Sequence, residues 1–450
     1  MGEPMTSDAG NKETKSMLLN IGPSHPAMHG VIRLITELDG ETVVAVDAEI
    51  GYLHRAFEKS FENSSWTQAI PYTDRLNYVS PLINNFGYCA AVEKLLQIEI
   101  TERCRYIRVI MSEVSRITDH LTCIAASAME LGAMTAFLYL MKAREFLYEI
   151  IEDVTGARLT ISYGRIGGVK ADLPASVREK LKDALQKTEK EIHEVDQLLT
   201  RNRIFVDRTR DVGILTRENA ISFSITGPLA RASGINYDVR KAFPYFAYDR
   251  VQFDVPLGER GDNYDRYLVR MEEMRQSIRI IRQCLKDMPD GEINISLDGN
   301  TMTSYDLVDQ AKLGYTAGLV NVVSTVEPTL EGTERPFQKR VMTDEKRVAL
   351  PNKADTYGNI EGLMNHFKLI MNSHGIRPPA GDTYFGVEGA NGELGFYVAS
   401  DGKDQPYRVR VRPPCFFNMA GLHTMLEGYM VADIVATFGS INMIAGELDR

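Results

Sequence analysis

The sequence predicts an α+β fold: a mainly helical bundle core with a small N-terminal antiparallel β domain and a C-terminal β hairpin. Three observations carry this reading. Two apolar-alternating runs, "VIRLITEL" and "TVVAVDAEI", flank Asp39-Gly40, a strong two-residue hairpin signal. The segment "RYIRVIMSEVSRITDHLTCIAASAMELGAMTAFLYLMKAREFLYEIIEDV" is apolar at nearly every third or fourth residue, as central bundle helices are. Near the C-terminus, "GELGFYVASDGKDQPYRVRVRPP" reads as a second hairpin.

Taken in order, residues 1–16 are polar and charged without an apolar h-region, which predicts a disordered tail and no secretory signal. Residues 17–54 form the β domain, with "MLLNIG" as its first strand and the loop "GPSHPAMHG" at Gly22–Gly30. Residues 55–299 form the helical core. Within it, Leu131–Met141 is too short to cross a bilayer and stops at Lys142, so a buried helix is expected. Ser176–Arg201 carries Val177, Leu181, Leu185, Ile192, Val195 and Leu199 on one side and mixed charge on the other, which predicts a surface helix. A further helix is expected over Asp262–Lys286. Residues 300–359 are polar and poorly periodic and read as a surface insertion. Residues 360–450 supply a helix at Ile360–Asn372 and the hairpin returning to the core. Its second strand places Arg408, Arg410 and Arg412 on one face, either solvated or in contact with an anion.

With 450 residues, 44% of them hydrophobic, the chain can bury a large core. A net charge of -10 counts against non-specific nucleic-acid binding, which needs a basic surface, and no nucleic-acid partner is expected. The five cysteines contain no C-x-x-C pair, so neither a metal-thiolate site nor a disulfide framework is predicted. Walker, dinucleotide-fingerprint and Gly-x-Ser-x-Gly motifs are absent.

The chemistry-bearing groups are therefore few. His25 and His29 are two of only eight histidines, and Pro26 and Gly30 exclude a helical i, i+4 metal pair, which leaves a loop site. A histidine that merely bonds backbone in a tight turn explains the loop equally well. In "YTDRLNY", Arg75 and Tyr78 share a face if the run is helical. Glu130, inside "SAMELGAM", must be paired, hydrogen-bonded or neutral, because an isolated buried carboxylate is costly.

Several long strings together carry a resemblance: "LNIGPSHPAMHGVIRL", "GYLHRAFEK", "YTDRLNYVSPL", "RVIMSEVSRITDHL", "GRIGGVKADLP", "SGINYDVRKAFPY", "FDVPLGERGDNYDRYLVRMEEMRQS" and the terminal "GELDR". They are similar to the large quinone-site subunit, the D subunit, of respiratory complex I, from about Leu18 to Arg450, with residues 300–359 longer than is usual in that family. The resemblance implies a fold related to the nickel–iron hydrogenase large subunit. The thiolates such a metal centre requires are missing here, so no metal is expected on this chain.

The resemblance further implies a role within a proton-translocating NADH:quinone oxidoreductase, active only in the complex. Quinone, menaquinone or ubiquinone, would be the substrate, reduced in a cavity shared with the B subunit, which holds a four-iron four-sulfur cluster. The B, C, H and I subunits would be the partners, and they would provide contact with the cytoplasmic side of the inner membrane. His29 and Tyr78 would bind the headgroup and supply protons, and Glu130 would hydrogen-bond His29. Arg75 and Thr160 would lie beside the cluster, and Arg55 matches an arginine methylated in some relatives. Two residues depart from the family pattern: Glu130 stands where Asp is usual, and "ARLT" ends in Thr160 where the family has histidine. A ferredoxin- or deazaflavin-fed variant and a non-catalytic hydrogenase-derived scaffold are the competing readings.

Overall fold

The computed structural model describes residues 16–295, 305–308, 319–324, 338–342, 351, 353–358, 360–371 and 375–450. Strands β1 (Met17–Ile21), β2 (Arg33–Asp39) and β3 (Thr42–Glu49) form an antiparallel sheet in that order. The hairpin turn lies one residue later than the sequence signal placed it: Asp39 pairs with Thr42, and Gly40 and Glu41 make the turn. Gly40 adopts φ +62°, which glycine reaches without a Cβ penalty, and a register irregularity at Glu37/Leu38 absorbs the offset.

Helix α1 (Pro81–Leu96) leads into α2 (Glu102–Glu130), the 29-residue axis of the fold. Thr101 starts α2 by accepting a hydrogen bond from the Cys104 amide. Ile110, Val114, Ile117 and Leu121 along it are fully buried, each contributing roughly 1.5–3 kcal/mol. Helices α3 (Met134–Thr155), α4 (Ala175–Leu199) and α5 (Asn263–Asp287) pack around it. All six apolar residues expected on the inner face of α4 are buried. The start of α3 is not the buried helix expected: Ala136 and Leu140 face inward, but Met134, Leu138 and Tyr139 are exposed. The apolar run therefore covers both faces of a helix that only one face of the bundle supports.

Strands β4 (Gly381–Gly389), β5 (Gly392–Ser400) and β6 (Arg408–Arg412) form a second antiparallel sheet, ordered β6-β5-β4. The hairpin is as expected, with β4 added to it. Arg408 and Arg410 meet anions of the same chain, Glu62 at 3.1 Å and Glu58 at 2.7 Å. Helix Ile360–Ile370 matches its expected start, while Asn372 lies outside the described residues, as does most of the expected insertion. Helices α6 (Val431–Ile441) and α7 (Ala445–Asp449) close the fold. Leu34 and Leu38 of β2 share a small apolar core with Phe438, Ile441, Met443 and Leu448.

A buried ionic region lies beside α2. Glu113 accepts from Arg116 and Arg240 at 3.2 Å and from Tyr248 and Ser277 at 2.6 Å. Glu273 accepts from Arg231 and meets His120, both at 2.7 Å. Arg231 also reaches Glu388 at 2.8 Å, and Arg240 reaches Asp238 at 2.6 Å. Each carboxylate here is matched by a cation, as burial demands.

Candidate functional site

The two loop histidines have different fates. His25 caps a single 3-10 turn at Pro26–Met28, its Nδ1 accepting from the Ala27 amide at 3.2 Å, so backbone bonding in a tight turn describes this residue. His29 follows the turn in a left-handed conformation, φ 49°, ψ 21°. Its Nε2 lies 2.7 Å from Glu130 Oε1, at the C-terminus of α2, with both side chains largely buried. The edge of Phe438 closes one side, with ring centroids 6.4 Å apart. Glu130 is thus hydrogen-bonded, as its apolar surroundings require, and its Oε2 is buried without a hydrogen-bond partner.

The "YTDRLNY" run is helical only over Ile70–Thr73 and continues as turns, so Arg75 and Tyr78 do not share a helical face. Buried Asp74 and Asn77 account for the break, since each turns its side chain onto a fixed partner. Asn77 Nδ2 and Ser80 Oγ both donate to Asp119 Oδ2 in α2, at 2.8 and 2.7 Å. Asp119 Oδ1 accepts from Asn442 Nδ2 at 2.7 Å. One carboxylate thereby grips both sides of Tyr78 and the segment between α6 and α7.

That segment joins the two candidate groups. Gly30, next to His29, packs on Ala445, while a Cβ on Gly446 would stand 2.7 Å from the Arg75 carbonyl and 2.8 Å from that of Leu76, with the Tyr78 ring at 3.3 Å. Arg55 fastens the contact from outside, donating to the Arg75 and Gly446 carbonyls at 2.8 and 3.0 Å. His29 and Tyr78 thus flank one strut, residues 443–446. Tyr78 is 37% exposed. Desolvation pushes its phenol above the ordinary range, nearby Cys415 and Asp119 add to this, and Arg55 opposes it.

Arg75 projects to the surface, anchored to the Pro71 carbonyl at 2.7 Å. Thr160 is exposed in a left-handed turn, φ 52°, its hydroxyl donating to the Leu159 carbonyl at 2.7 Å. The two turns are tied through Asp74, which accepts from the amide and hydroxyl of Ser162 at 2.9 and 2.6 Å and closely from Asn85. Burial nevertheless raises the Asp74 carboxyl above its usual value, against those hydrogen bonds. Sequence reasoning missed Asp119, Asn391, Asn442 and Glu447. Asp119 lies in "RVIMSEVSRITDHL" and Glu447 in "GELDR", but nothing in either string marks the residue as part of a buried polar group.

A family model described as the respiratory-chain NADH dehydrogenase 49 Kd subunit matches residues 130–312 and 320–450, a range that takes in most of the segment expected to be an unusual insertion. The chain is similar to the D subunit of the NADH-quinone oxidoreductase of Myxococcus xanthus, 48% identical over 97% of this chain and 94% of the relative. The D subunit from Pelobacter propionicus is also 48% identical, over 96% of this chain and 95% of the relative. The C/D subunit of the NADH-quinone oxidoreductase of Bdellovibrio bacteriovorus is 46% identical over 97% of this chain and 69% of that longer protein. Among the described residues no helix is long and apolar enough to cross a membrane. With agreement of this extent, the chain belongs to the family of the 49 Kd subunit of respiratory-chain NADH dehydrogenase, an oxidoreductase subunit of complex I.

Proposed function

We propose that this chain forms, together with the iron–sulfur B subunit, the cavity in which complex I reduces quinone, with His29 and Tyr78 as headgroup donors. The observation that carries the reading is their placement on the two flanks of one strut, with His29 held by Glu130 and the residues on either side of Tyr78, Asn77 and Ser80, held by Asp119 of α2. Quinone reduction takes up two electrons, delivered through the partner's cluster, and two protons. Glu130 engages His29 Nε2, which fixes the ring and leaves Nδ1 as the atom to meet a quinone oxygen. Tyr78 supplies a phenolic O–H, a donor at neutral pH that turns over only as charge develops on its acceptor.

The B, C, H and I subunits complete the assembly, which sits peripherally on the cytoplasmic side of the inner membrane and draws electrons from NADH through other subunits. The exposed apolar residues Met129, Met134, Leu138 and Tyr139, next to Glu130, suit burial against another chain. Arg75 and Thr160, on turns linked through Asp74, form the wall turned toward the cluster.

In assembled complex, Tyr78→Phe and His29→Ala are each expected to slow quinone reduction by about 10²–10³-fold, the effect of losing one preorganised donor. Electron transfer to artificial acceptors upstream should persist. Wild-type quinone turnover in both variants would overturn the assignment.

A further inference from the structure

Glu447, in α7, is 1% exposed. Its Oε1 accepts from the Cys415 amide at 3.1 Å, and its carboxyl also meets the side chains of Cys415 and Asn391. All of these partners are neutral. Other buried glutamates differ: Glu93 is paired with Arg108, Glu113 with Arg116 and Arg240, and Glu273 and Glu388 with Arg231.

Glu447 instead faces a second carboxylate across two amides. Asn442 Nδ2 donates to Asp119 Oδ1 at 2.7 Å and to Asn391 Oδ1 at 2.6 Å, and Asn391 Nδ2 donates to Cys415 Sγ at 3.5 Å. The groups around Glu447 are thus Asp119 from α2, Cys415 from the helix Pro414–Ala420, and the uncharged Asn391 from the β4–β5 turn. Arg55 donates to the Arg75 and Gly446 carbonyls and not to the Glu447 carboxyl. Buried Arg270 lies nearby but donates to the Ile441 carbonyl at 3.3 Å, and no ion pair joins a cation to Asp119 or Glu447 among the described residues. Two like charges in a dry site without a paired cation do not both ionise. Burial and Asp119 push Glu447 up to about 7. Gly446, the residue before Glu447, packs against the Tyr78 ring, and Cys415, whose amide donates to Glu447, lies close enough to Tyr78 for their charges to interact, which places the acid directly behind the phenol.

We infer that Glu447 is an internal proton-holding residue behind Tyr78, a neutral acid at rest that restores the phenol after Tyr78 has protonated the substrate. This rests on the reading of Tyr78 as headgroup donor. The Tyr78 O–H bond breaks as an O–H bond forms on the reduced quinone. The Glu447 O–H bond then breaks as that of Tyr78 re-forms, and the resulting carboxylate regains a proton from water before the next turnover. No electron moves through Glu447.

The test is infrared spectroscopy and pH-dependent turnover of assembled complex. A carboxylic acid C=O band that disappears as pH rises through about 7 is expected in wild type and absent in Glu447→Gln. Wild-type quinone reduction is expected to fall over the same range, because the neutral acid is the competent form. Glu447→Gln should lose that limb and run on the order of tenfold slower, less than the ~10²–10⁴ of a group acting directly on substrate. In Glu447→Asp, which keeps the acid should the amide impair assembly, band and limb should shift together. A missing band, a limb unchanged in Glu447→Gln, or a band that moves without the limb would overturn the proposal. Full turnover in Tyr78→Phe with the band intact would instead count against the headgroup assignment.

Discussion

Two buried polar regions share α2 and are built on opposite plans. Around Glu113 and His120, every carboxylate meets an arginine; complete burial pushes Glu113 up, yet Arg116 and Arg240 hold it down at about 2. Around Asp119, the partners are asparagines, a serine and a thiol, and Glu447 is pushed up to about 7. The first region fixes its charges and holds helices together. The second, without paired cations, favours the neutral form of Glu447. A buried polar cluster therefore reads as structural or as chemical from its count of cations rather than its count of carboxylates.

The largest expected effect tests the structural side. Arg231→Met strips Glu273 and Glu388 of their shared cation and should cost about 3–5 kcal/mol, seen as loss of this subunit from purified complex or a lowered thermal midpoint. A variant as stable as wild type would show that this region is not held by its cations.

Next in size is the response to acid, where the two regions differ in sign. Glu113 is depressed in the folded state, so its contribution is present above its ordinary value of 4.5 and lost as pH falls through about 2. That contribution is on the order of 3 kcal/mol for such a shift. Glu447 is raised, so its contribution is present in acid and lost as pH rises through about 7. Thermal midpoints across a pH series should thus fall on both sides, and Glu447→Gln should flatten only the alkaline side.

Gly446→Ala should cost roughly 1–3 kcal/mol, because the new methyl meets backbone carbonyls that have no flexible end to yield. It should also lower quinone turnover by displacing Tyr78, which quinone titration of assembled complex would detect. The smallest effect is expected at Thr160, which has no titratable group to answer a change of charge on the cluster proposed to lie beside it. Redox titration between about pH 6 and pH 8, bracketing the reference imidazole value, should give a nearly flat cluster potential in wild type. Thr160→His should add a pH slope, and the left-handed turn tolerates that residue. A steep slope in wild type would remove Thr160 from the cluster wall.

Much of the fold was legible because it is written in local periodicity: the first sheet, α2, α4 and α5 follow from alternation and 3.6-residue spacing. Where one residue decides, the pattern misled, as in the turn displaced to Gly40-Glu41 and the exposed start of α3. Of the candidate site, His29 and Glu130 stood out because a histidine in a Pro-bounded loop and a carboxylate in an apolar run each demand a partner. Their meeting, across 101 residues, was implied by the family resemblance and by no local pattern. Asp119 and Asn442 are 323 residues apart, and each looks like an ordinary polar residue in its own helix or loop. Contacts of that separation are fixed by how helices pack, which no local pattern encodes.

The three-way grip on Asp119 bears on how such a site can change over generations. Asn77, Ser80 and Asn442 all spend donors on one carboxylate, so replacing Asp119 or Asn442 alone strands a buried polar atom at roughly 1–3 kcal/mol, and replacing Asn77 or Ser80 leaves Asp119 Oδ2 with a single donor. Single steps are penalised while matched combinations are not, which is epistasis imposed by hydrogen-bond arithmetic. Drift at this centre should proceed in concerted jumps, whereas the exposed wall at Arg75 and Thr160 can vary one residue at a time.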